Sequence, residues 1–327
     1  MRLIEIDLSS QYLNFACCVL TFTFITPETN IVQNNEQKLG VVNAIAAYLM
    51  WGLAPIYFKT LESVNADEIM VHRVVWSSVL LLLFVFATAR IRAVISTLVQ
   101  PGVLIKLTIS ACFLGFNWFL FIWAVNNDHI LDASLGYYIN PLFNVALGMV
   151  FLNERLRKWQ LVAVLLAVIG VLIQVVTLGE LPIISLALAG SFAIYGLIRK
   201  KLQVNSIAGL LIESSVMLPI ALLYWLWFVN SSTSNMAENS LSLNLLFVFA
   251  GIVTTAPLLC FTAAAKRLTL STVGFFQYIG PSIMFVLATF YYDEPLEPSK
   301  LVTFGFIWLA LVIYSADSMK TYRKLKV

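Results

Sequence analysis

The sequence has very few charged residues. Asp, Glu, Lys and Arg make up 11% of its 327 residues, whereas about 25% is usual for a soluble domain. Hydrophobic residues make up 60% of the chain. A chain of this length has too little polar side-chain surface to cover a water-soluble core. The composition therefore excludes a soluble protein and predicts one that crosses a membrane several times.

Residues that carry catalytic or metal chemistry are also scarce. The four cysteines form no CxxC pair, and the two histidines, His72 and His129, lie far apart, so neither a disulfide framework nor a metal site is indicated. No GxxxxGK[ST] segment is present, so the chain itself has no P-loop for ATP. We therefore predict no enzymatic activity, no cofactor, no metal and no nucleic-acid partner.

Long apolar runs fill most of the chain. A transmembrane helix needs about 20 mostly apolar residues, and ten segments meet this requirement. They are residues 39–58, 69–88, 103–125, 131–152, 159–178, 181–198, 207–229, 243–263, 270–292 and 301–317. The connections between them are short, so we predict an all-α integral membrane protein without a separate soluble domain.

The basic residues are concentrated in alternate connections. If Lys38 is cytoplasmic, most of the 20 Lys and Arg residues fall in cytoplasmic connections or at the C terminus. This asymmetry follows the positive-inside rule. It predicts a multi-pass protein of the bacterial inner (plasma) membrane with both ends cytoplasmic and a basic cytoplasmic tail at residues 318–327.

The first 38 residues do not fit the pattern of spans. The apolar run at residues 12–25 is too short to cross a bilayer, and acidic residues precede it where a signal peptide would be basic. We predict an N-terminal extension outside the fold, explained by a start codon assigned too early. A short segment lying on the membrane surface is the alternative.

Short motifs recur in the two halves at a spacing of 140 residues. The sequence YINP at residues 138–141 matches YIGP at 278–281, and NERL at 153–156 matches DEPL at 293–296. The clustering of these identities predicts an internal duplication.

The duplication divides the spans into two sets of five, at residues 39–178 and 181–317. Because five is odd, the second repeat must enter the membrane from the opposite side. The sequence therefore predicts inverted repeats, a plan typical of secondary transporters whose substrate site lies near the midplane between the repeats.

Three ionisable residues fall within predicted spans, where a charge costs about 2.5–3.5 kcal/mol on insertion scales. They are His72 and Arg73 in the second span and Glu213 in the seventh. A functional interpretation makes Glu213 a carboxylate that couples transport to protons, His72 a group that titrates near neutral pH, and Arg73 an anchor for an anion. The alternative has Arg73 reaching the membrane surface, Glu213 pairing with a neighbouring helix and His72 at the interface.

Polar and aromatic residues concentrate in spans three, four, six and nine. A pocket for a small amphipathic molecule needs aromatic walls and a few oriented polar groups. The residues that we predict to bind the solute are Asn117, Trp118, Trp123, Asn126, Tyr137, Asn140, Tyr195, Gln277 and Tyr278. Pro141 and Pro281, which lie beside or near these residues, each free a backbone carbonyl one turn earlier. The alternative for the Trp and Tyr residues is an interfacial belt.

Several longer motifs resemble those of a known family. They are NWFLFIWAVNN at residues 117–127 and GFFQYIGP at 274–281, with shorter motifs at 51–59, 67–74, 133–137 and 195–201. From about Leu39 to its end, the chain resembles the RarD-type permeases of the EamA family, in the drug/metabolite transporter superfamily. The resemblance implies a ten-helix, five-plus-five inverted fold, transport of a small solute and a link, by family name, to chloramphenicol.

These features together predict a secondary active transporter. Its partners would be the lipid bilayer and a small organic metabolite or drug-like solute, chloramphenicol-related compounds included, carried by alternating access with protons as the candidate coupling ion. The alternative is an integral-membrane enzyme acting on a lipid-linked substrate, for which the outer-loop residues Asp128, His129 and Asp132 are the one cluster to consider. A membrane regulator without transport is a third class.

Overall fold

A computed structural model of the chain describes residues 27–126, 130–179, 182–202, 204–291 and 298–324, and all secondary structure in these ranges is helical. The helices, in chain order, are α1 Pro27–Lys59, α2 Ala66–Ala87, α3 Ile91–Leu98, α4 Pro101–Asn126, α5 Ile130–Leu152, α6 Lys158–Leu178, α7 Ile183–Lys201, α8 Ser206–Phe228, α9 Leu241–Arg267, α10 Leu270–Gln277, α11 Ile279–Phe290 and α12 Pro298–Lys324.

Ten segments in the described part of the chain are long and apolar enough to cross a membrane. This confirms the predicted number of spans and the predicted fold class. A helix satisfies its backbone N–H and C=O groups internally, which a chain in a bilayer requires. Helix α1 begins at Pro27, before the predicted start at residue 39, and α12 continues to Lys324. Hydropathy detects only the apolar part of a helix, so the polar extensions were not predicted.

Residues 1–39 and 40–327 form two compact units. The predicted N-terminal extension comprises residues 1–38, and residues 1–26 of it lie outside the described part of the chain. Residues 27–39 are helical and belong to α1. All contacts discussed below lie within the second unit.

A short helix, α3, occupies a connection for which the sequence predicted no element. Val94 and Thr97 are buried, whereas Ile95 and Leu98 are exposed. Eight residues are too few to span a bilayer, so a search for spans passes over this helix. An exposed apolar side on a helix that begins beside Arg90 is typical of a helix at the membrane surface.

The ninth span is broken into two helices, α10 and α11, at Tyr278. Pro281 has no N–H group and cannot donate to the carbonyl of residue 277, where α10 ends. The Tyr278 amide donates to the Phe275 carbonyl at 3.3 Å, the tighter pattern of a helix terminus. The proline effect predicted for this span therefore takes the form of a break between two short helices.

The two predicted halves pack mainly against each other. Helix α2 contacts α8, α5 contacts α10, and α6 contacts α12. These pairs join the second span with the seventh, the fourth with the ninth and the fifth with the tenth. A two-fold relation between five-helix repeats requires such pairs of corresponding helices, while the inversion itself stays a prediction.

The fourth and ninth spans approach each other closely at a glycine. A Cβ atom at Gly274 in α10 would lie 2.8 Å from the Pro141 carbonyl oxygen in α5. Only glycine fits at this contact without moving one of the two helices, and small residues are the usual means of close helix packing in membranes. The crossing brings Asn140 in α5 near Gln277 in α10.

The polar connection at residues 229–240 is attached to the start of α2. The fully buried Glu68 carboxylate accepts hydrogen bonds from the Ser231 hydroxyl at 2.5 Å and the Thr233 hydroxyl at 2.8 Å. The Asn239 side-chain amide donates to the Thr233 carbonyl at 2.7 Å. Glu68 thus anchors the longest polar connection of the sequence to the helix bundle.

His72 lies one helical turn beyond Glu68 and is also fully buried. Its ring stacks on Phe247 at a centroid distance of 3.9 Å and meets Trp225 edge-on at 4.8 Å. The Trp225 indole N–H donates to the Ser234 carbonyl at 3.3 Å. His72 is therefore packed under the connection, and both its predicted role in coupling and its predicted interfacial position remain predictions.

We expect Glu68→Ala to lower the apparent melting temperature of the detergent-purified protein by several degrees, because Ser231 and Thr233 lose a charged acceptor. Hydrogen bonds to charged groups contribute about 1.5–3 kcal/mol. Glu62→Ala is the matched control, since Glu62 pairs with Lys59 in an exposed ion pair of a kind that contributes little. Equal melting temperatures for the two variants would contradict the anchoring role.

Candidate functional site

A cavity of about 280 Å³ lies inside the bundle, between helices of both halves. Its volume is near the lower end of the range of about 300–1,000 Å³ typical of small-molecule sites. The aromatic residues that line it are Tyr48, Trp51, Phe58, Trp118, Phe121, Tyr137 and Phe192. The polar lining residues are Arg73, Asn117, Asn140, Thr254 and Gln277. Many rings with a few polar groups form a site suited to a small amphipathic molecule.

The cavity lies toward one end of the bundle. Connections alternate between the two ends, and we name the end that carries residues 153–157, 204–205 and 268–269 the basic end. Phe58 in the last turn of α1 and Arg73 in the second turn of α2 both line the cavity from the opposite end. The cavity therefore occupies the half of the bundle that is farther from the basic end.

Arg73 is the only charged side chain among the described residues that line the cavity. Its Nε atom donates to the Thr254 hydroxyl at 2.9 Å. The guanidinium carbon lies 4.8 Å from the ring centroid of Trp118 and 5.6 Å from that of Phe58. Two rings and one hydroxyl thus hold the guanidinium at the cavity wall.

A chain of side-chain amides forms another part of the wall. The buried Asn144 Nδ2 donates to the Gln277 oxygen at 2.9 Å and to the Asn140 oxygen at 3.3 Å. Because Asn140 and Gln277 use their oxygen atoms in this way, their NH₂ groups are the ends left to meet a solute. The bond between Asn144 and Gln277 joins α5 to α10 across the two halves.

Asn117 in α4 also combines a structural contact with a place on the wall. Its side-chain nitrogen donates to the Leu188 carbonyl at 2.8 Å and to the Ser191 hydroxyl at 3.0 Å, both in α7. The amide oxygen is therefore the group that Asn117 can offer to a solute. These bonds fix α4 to α7 beside the cavity.

Five aromatic rings separate the cavity from the basic end, and we name them the aromatic floor: Tyr48, Trp51, Phe192, Tyr195 and Phe261. The first three line the cavity, whereas Tyr195 and Phe261 are fully buried beneath it. The Phe261 ring centroid lies between 5.2 and 6.5 Å from those of the other four. Packed rings of this kind leave no open path toward the basic end.

Hydrogen bonds close the basic end beneath the aromatic floor. The Glu154 carboxylate accepts from the backbone N–H groups of Leu270 at 2.6 Å and Ser271 at 2.9 Å, and from the Ser271 hydroxyl at 2.7 Å. Free N–H groups at a helix start favour such a carboxylate. The Lys200 ammonium group donates to the carbonyl groups of Ala265 and Leu268. We call the Glu154 and Lys200 contacts the basic-end lock: the Glu154 contacts join helix ends of opposite halves, and the Lys200 contacts join the ends of α7 and α9 within the second half.

Glu213 lies between the aromatic floor and the basic end. It is fully buried, and its carboxylate is 3.5 Å from the Arg199 guanidinium, which is 1% exposed. Glu213 therefore contacts a charged partner on a neighbouring helix, since Arg199 belongs to α7, and its role remains a prediction. A small void of about 10 Å³ borders Glu213 and shares Trp118, Thr254 and Leu258 with the cavity.

The structure brings together six of the residues that the sequence predicted. Those that line the cavity are Arg73, Asn117, Trp118, Tyr137, Asn140 and Gln277. Whether they bind a solute stays a prediction, because the cavity establishes only their position. Among the described residues, no His, Cys, Asp and Glu side chains are grouped so as to hold a metal ion.

Three other predicted residues do not line the cavity. Tyr195 is buried in the aromatic floor, Tyr278 donates its hydroxyl to the Tyr138 carbonyl at 3.3 Å within the packed core, and Trp123 is 40% exposed. The side chain of Asn126 is not described. In the cluster that motivated the enzyme alternative, Asp128 and His129 lie outside the described residues, and the side chain of Asp132 in α5 is not described.

Some lining residues were missed by the sequence reasoning. Trp51 and Pro281 carry a signal, because both belong to motifs of the family resemblance. Thr254 and Phe192 carry none, since hydroxyl and aromatic side chains recur throughout the spans. Helices that are apolar on every side do not reveal which face points inward.

The comparisons with known proteins agree with this architecture. The model of the EamA-like transporter family matches the chain twice, over residues 38–176 and 181–316. The chain belongs to the EamA-like transporter family. The two matched segments cover the two predicted five-helix repeats, and the family assignment confirms the resemblance found in the motifs.

Relatives within the family match over nearly their full length. Protein RarD of Escherichia coli (strain K12) is 54% identical over 290 residues, covering 88% of this chain and 98% of the relative. An uncharacterized transporter of Vibrio cholerae serotype O1 is 54% identical over 297 residues, covering 91% and 97%. This EamA protein is therefore a multi-pass membrane transporter of the drug/metabolite transporter superfamily.

A solved structure shares the fold of this EamA protein. A crystal structure of a protein with 17% sequence identity superposes with a TM-score of 0.66, covering 88% of this chain and 99% of that chain. At this identity the likeness concerns the arrangement of the helices alone. It supports the ten-span architecture independently of the motifs.

We expect Gly209→Ala to destabilise the protein. A Cβ atom at Gly209 in α8 would overlap the Arg199 guanidinium, so the end of this side chain must shift and its pairing with Glu213 weakens; complete loss of a buried pair would cost about 3–5 kcal/mol. Thermal unfolding in detergent measures the effect. Gly305→Ala is the control, because a Cβ there meets nothing within 4 Å and alanine favours a helix. Equal stability of the two variants would show that the Arg199–Glu213 pair is dispensable.

Proposed function

We propose that the protein is a secondary active transporter that carries a small organic solute across the bacterial inner membrane by alternating access, with the cavity as the solute site. The supporting observation is that the cavity lies between the two halves while the aromatic floor and the basic-end lock close it on one side. A transporter of this kind exposes one site to one side of the membrane at a time.

The basic end is proposed to be cytoplasmic. Lys200, Lys266 and Arg267 cluster at this end, as the positive-inside rule requires of cytoplasmic connections. In this orientation the structure corresponds to a state with the cytoplasmic side closed. Solute would reach the cavity from the outer half of the membrane in this state and from the cytoplasm in the other.

The change between the two states would begin at the basic-end lock. Release of Glu154 from Leu270 and Ser271 would free the start of α10 from the end of α5. Because the ninth span is broken at Tyr278, α10 can tilt without carrying α11 along with it. Separation of the aromatic rings beneath the cavity would then open a path to the cytoplasm.

Labelling a cysteine in the cavity tests alternating access without knowledge of the solute. Ala54 lines the cavity, and we would introduce Ala54→Cys after replacing Cys17, Cys18, Cys112 and Cys260 by serine. A membrane-impermeant thiol reagent is applied to vesicles of each orientation. We expect labelling mainly from the side opposite the basic end, and a several-fold increase from the basic side when Glu154→Ala removes the contacts of the lock that join the two halves.

Glu62→Ala provides the control for this experiment, since it removes an exposed carboxylate at the other end of the bundle. Equal labelling from both sides in the Ala54→Cys protein would indicate an open channel. Unchanged labelling from the basic side after Glu154→Ala would show that Glu154 does not hold the closed state.

Proton coupling through Glu213 is a further part of the proposal. The carboxylate is fully buried, is separated from the cavity lining by one small void, and is positioned to exchange its Arg199 partner for a proton as the helices move. His72, the other residue predicted to take part in coupling, packs against Phe247 away from the cavity. The coupling hypothesis therefore depends on Glu213.

We expect Glu213→Gln to abolish solute-dependent proton movement. Protein in liposomes with an internal pH dye is exposed to chloramphenicol and to small aromatic acids, and the dye signal is compared with wild type. Glu213→Gln combined with Arg199→Gln keeps the charges balanced if the single variant does not fold. Proton movement that persists unchanged in these variants would exclude Glu213 as the coupling group.

A further inference from the structure

We infer that the solute of this cavity is an amphipathic organic anion: a planar apolar body with one carboxylate or similar oxyanion and no ammonium group, bound through Arg73. The claim that the anion is transported rests on the proposed function. The claim that it binds rests on the cavity alone, so the two can fail separately.

The first reason to expect an anionic solute is the charge balance of the cavity. An arginine side chain stays protonated under all physiological conditions, and no described carboxylate lines the cavity or lies within ion-pair distance of Arg73. A charge inside an apolar bundle is costly unless it is paired. A carboxylate on the solute would supply the missing partner, whereas a cationic solute would add a second charge of the same sign.

The second reason is the geometry of the Arg73 guanidinium group. Nε is already bonded to Thr254, and the two terminal nitrogens donate to no described side chain or carbonyl. Contacts with Trp118 and Phe58 fix the guanidinium group. A pre-oriented guanidinium with two free terminal nitrogens matches the two oxygens of a carboxylate.

The remaining walls define the rest of the solute. Rings line most of the cavity, which favours a planar apolar body, and the volume of about 280 Å³ limits its size. The NH₂ groups of Asn140 and Gln277 offer further donors and no negative charge. An ammonium group would find no acidic partner on the described lining, so an amino acid fits less well than the acid without its amine.

Four compounds with one shared ring test this inference by calorimetric titration of the purified protein. Phenylacetate is anionic, phenylacetamide neutral, phenethylamine cationic and phenylalanine zwitterionic. We expect phenylacetate to bind at least about tenfold more tightly than the other three, since a charge-assisted hydrogen bond contributes about one to two powers of ten in affinity.

Variants of Arg73 connect the preference to the side chain. Arg73→Gln should weaken phenylacetate binding about tenfold to a hundredfold. Arg73→Lys should have a smaller effect, because lysine keeps the positive charge and lacks only the planar guanidinium group that can bind both carboxylate oxygens. Arg92→Gln removes an exposed arginine and should leave binding unchanged. Binding by a variant is interpreted only if its melting temperature equals that of the wild type. If Arg73→Gln does not fold, Arg73→Lys provides the test.

The inference is overturned if phenylacetamide binds as tightly as phenylacetate, if none of the four compounds binds, or if phenylacetate affinity does not depend on Arg73. Flux into proteoliposomes separates it from the proposed function. Arg73-dependent binding of phenylacetate without flux would support the anion site and contradict transport. Flux of phenethylamine or phenylacetamide that is independent of Arg73 would support transport and contradict the anion site.

Discussion

The cost of a charge inside an apolar helix bundle is the constraint on which the candidate site depends. Two arginines meet this constraint differently. Arg199 has the Glu213 carboxylate beside it and a backbone carbonyl of Ser206 as acceptor. Among the described residues, the partners of Arg73 are Thr254 and two aromatic rings. The first charge is balanced within the protein, as a structural pair must be, whereas the second is the one that we propose a solute balances.

The closure of one end of the bundle also depends on how charged groups find partners. Toward the basic end, the Glu154 carboxylate of the first half meets the start of α10 in the second half, and the Lys200 ammonium group meets the end of α9, so charges at helix ends hold the helices together. Such contacts can be broken and remade at modest cost, unlike a continuous apolar core. A bundle closed by polar contacts at one end is suited to having two states.

The spans were predictable from the sequence, because twenty apolar residues in a row leave few alternatives to a membrane helix. Arg73, Asn140 and Gln277 were predictable as cavity residues, since polar groups in such helices avoid lipid. Tyr195 and Tyr278 were placed in the site by the same reasoning and lie in the packed core instead. Aromatic residues are tolerated both in a core and at a cavity, so composition cannot distinguish the two, and the partners of Arg73 and Glu213 depend on helix packing that no local pattern encodes.

The most direct measurement of the central claim is a structure of the protein with 4-bromophenylacetate, in which the anomalous signal of bromine locates the compound. The account predicts bromine among the aromatic rings that line the cavity and both carboxylate oxygens within about 3 Å of the terminal nitrogens of Arg73. Bromine outside the cavity, or a carboxylate bound to groups other than Arg73, would contradict it.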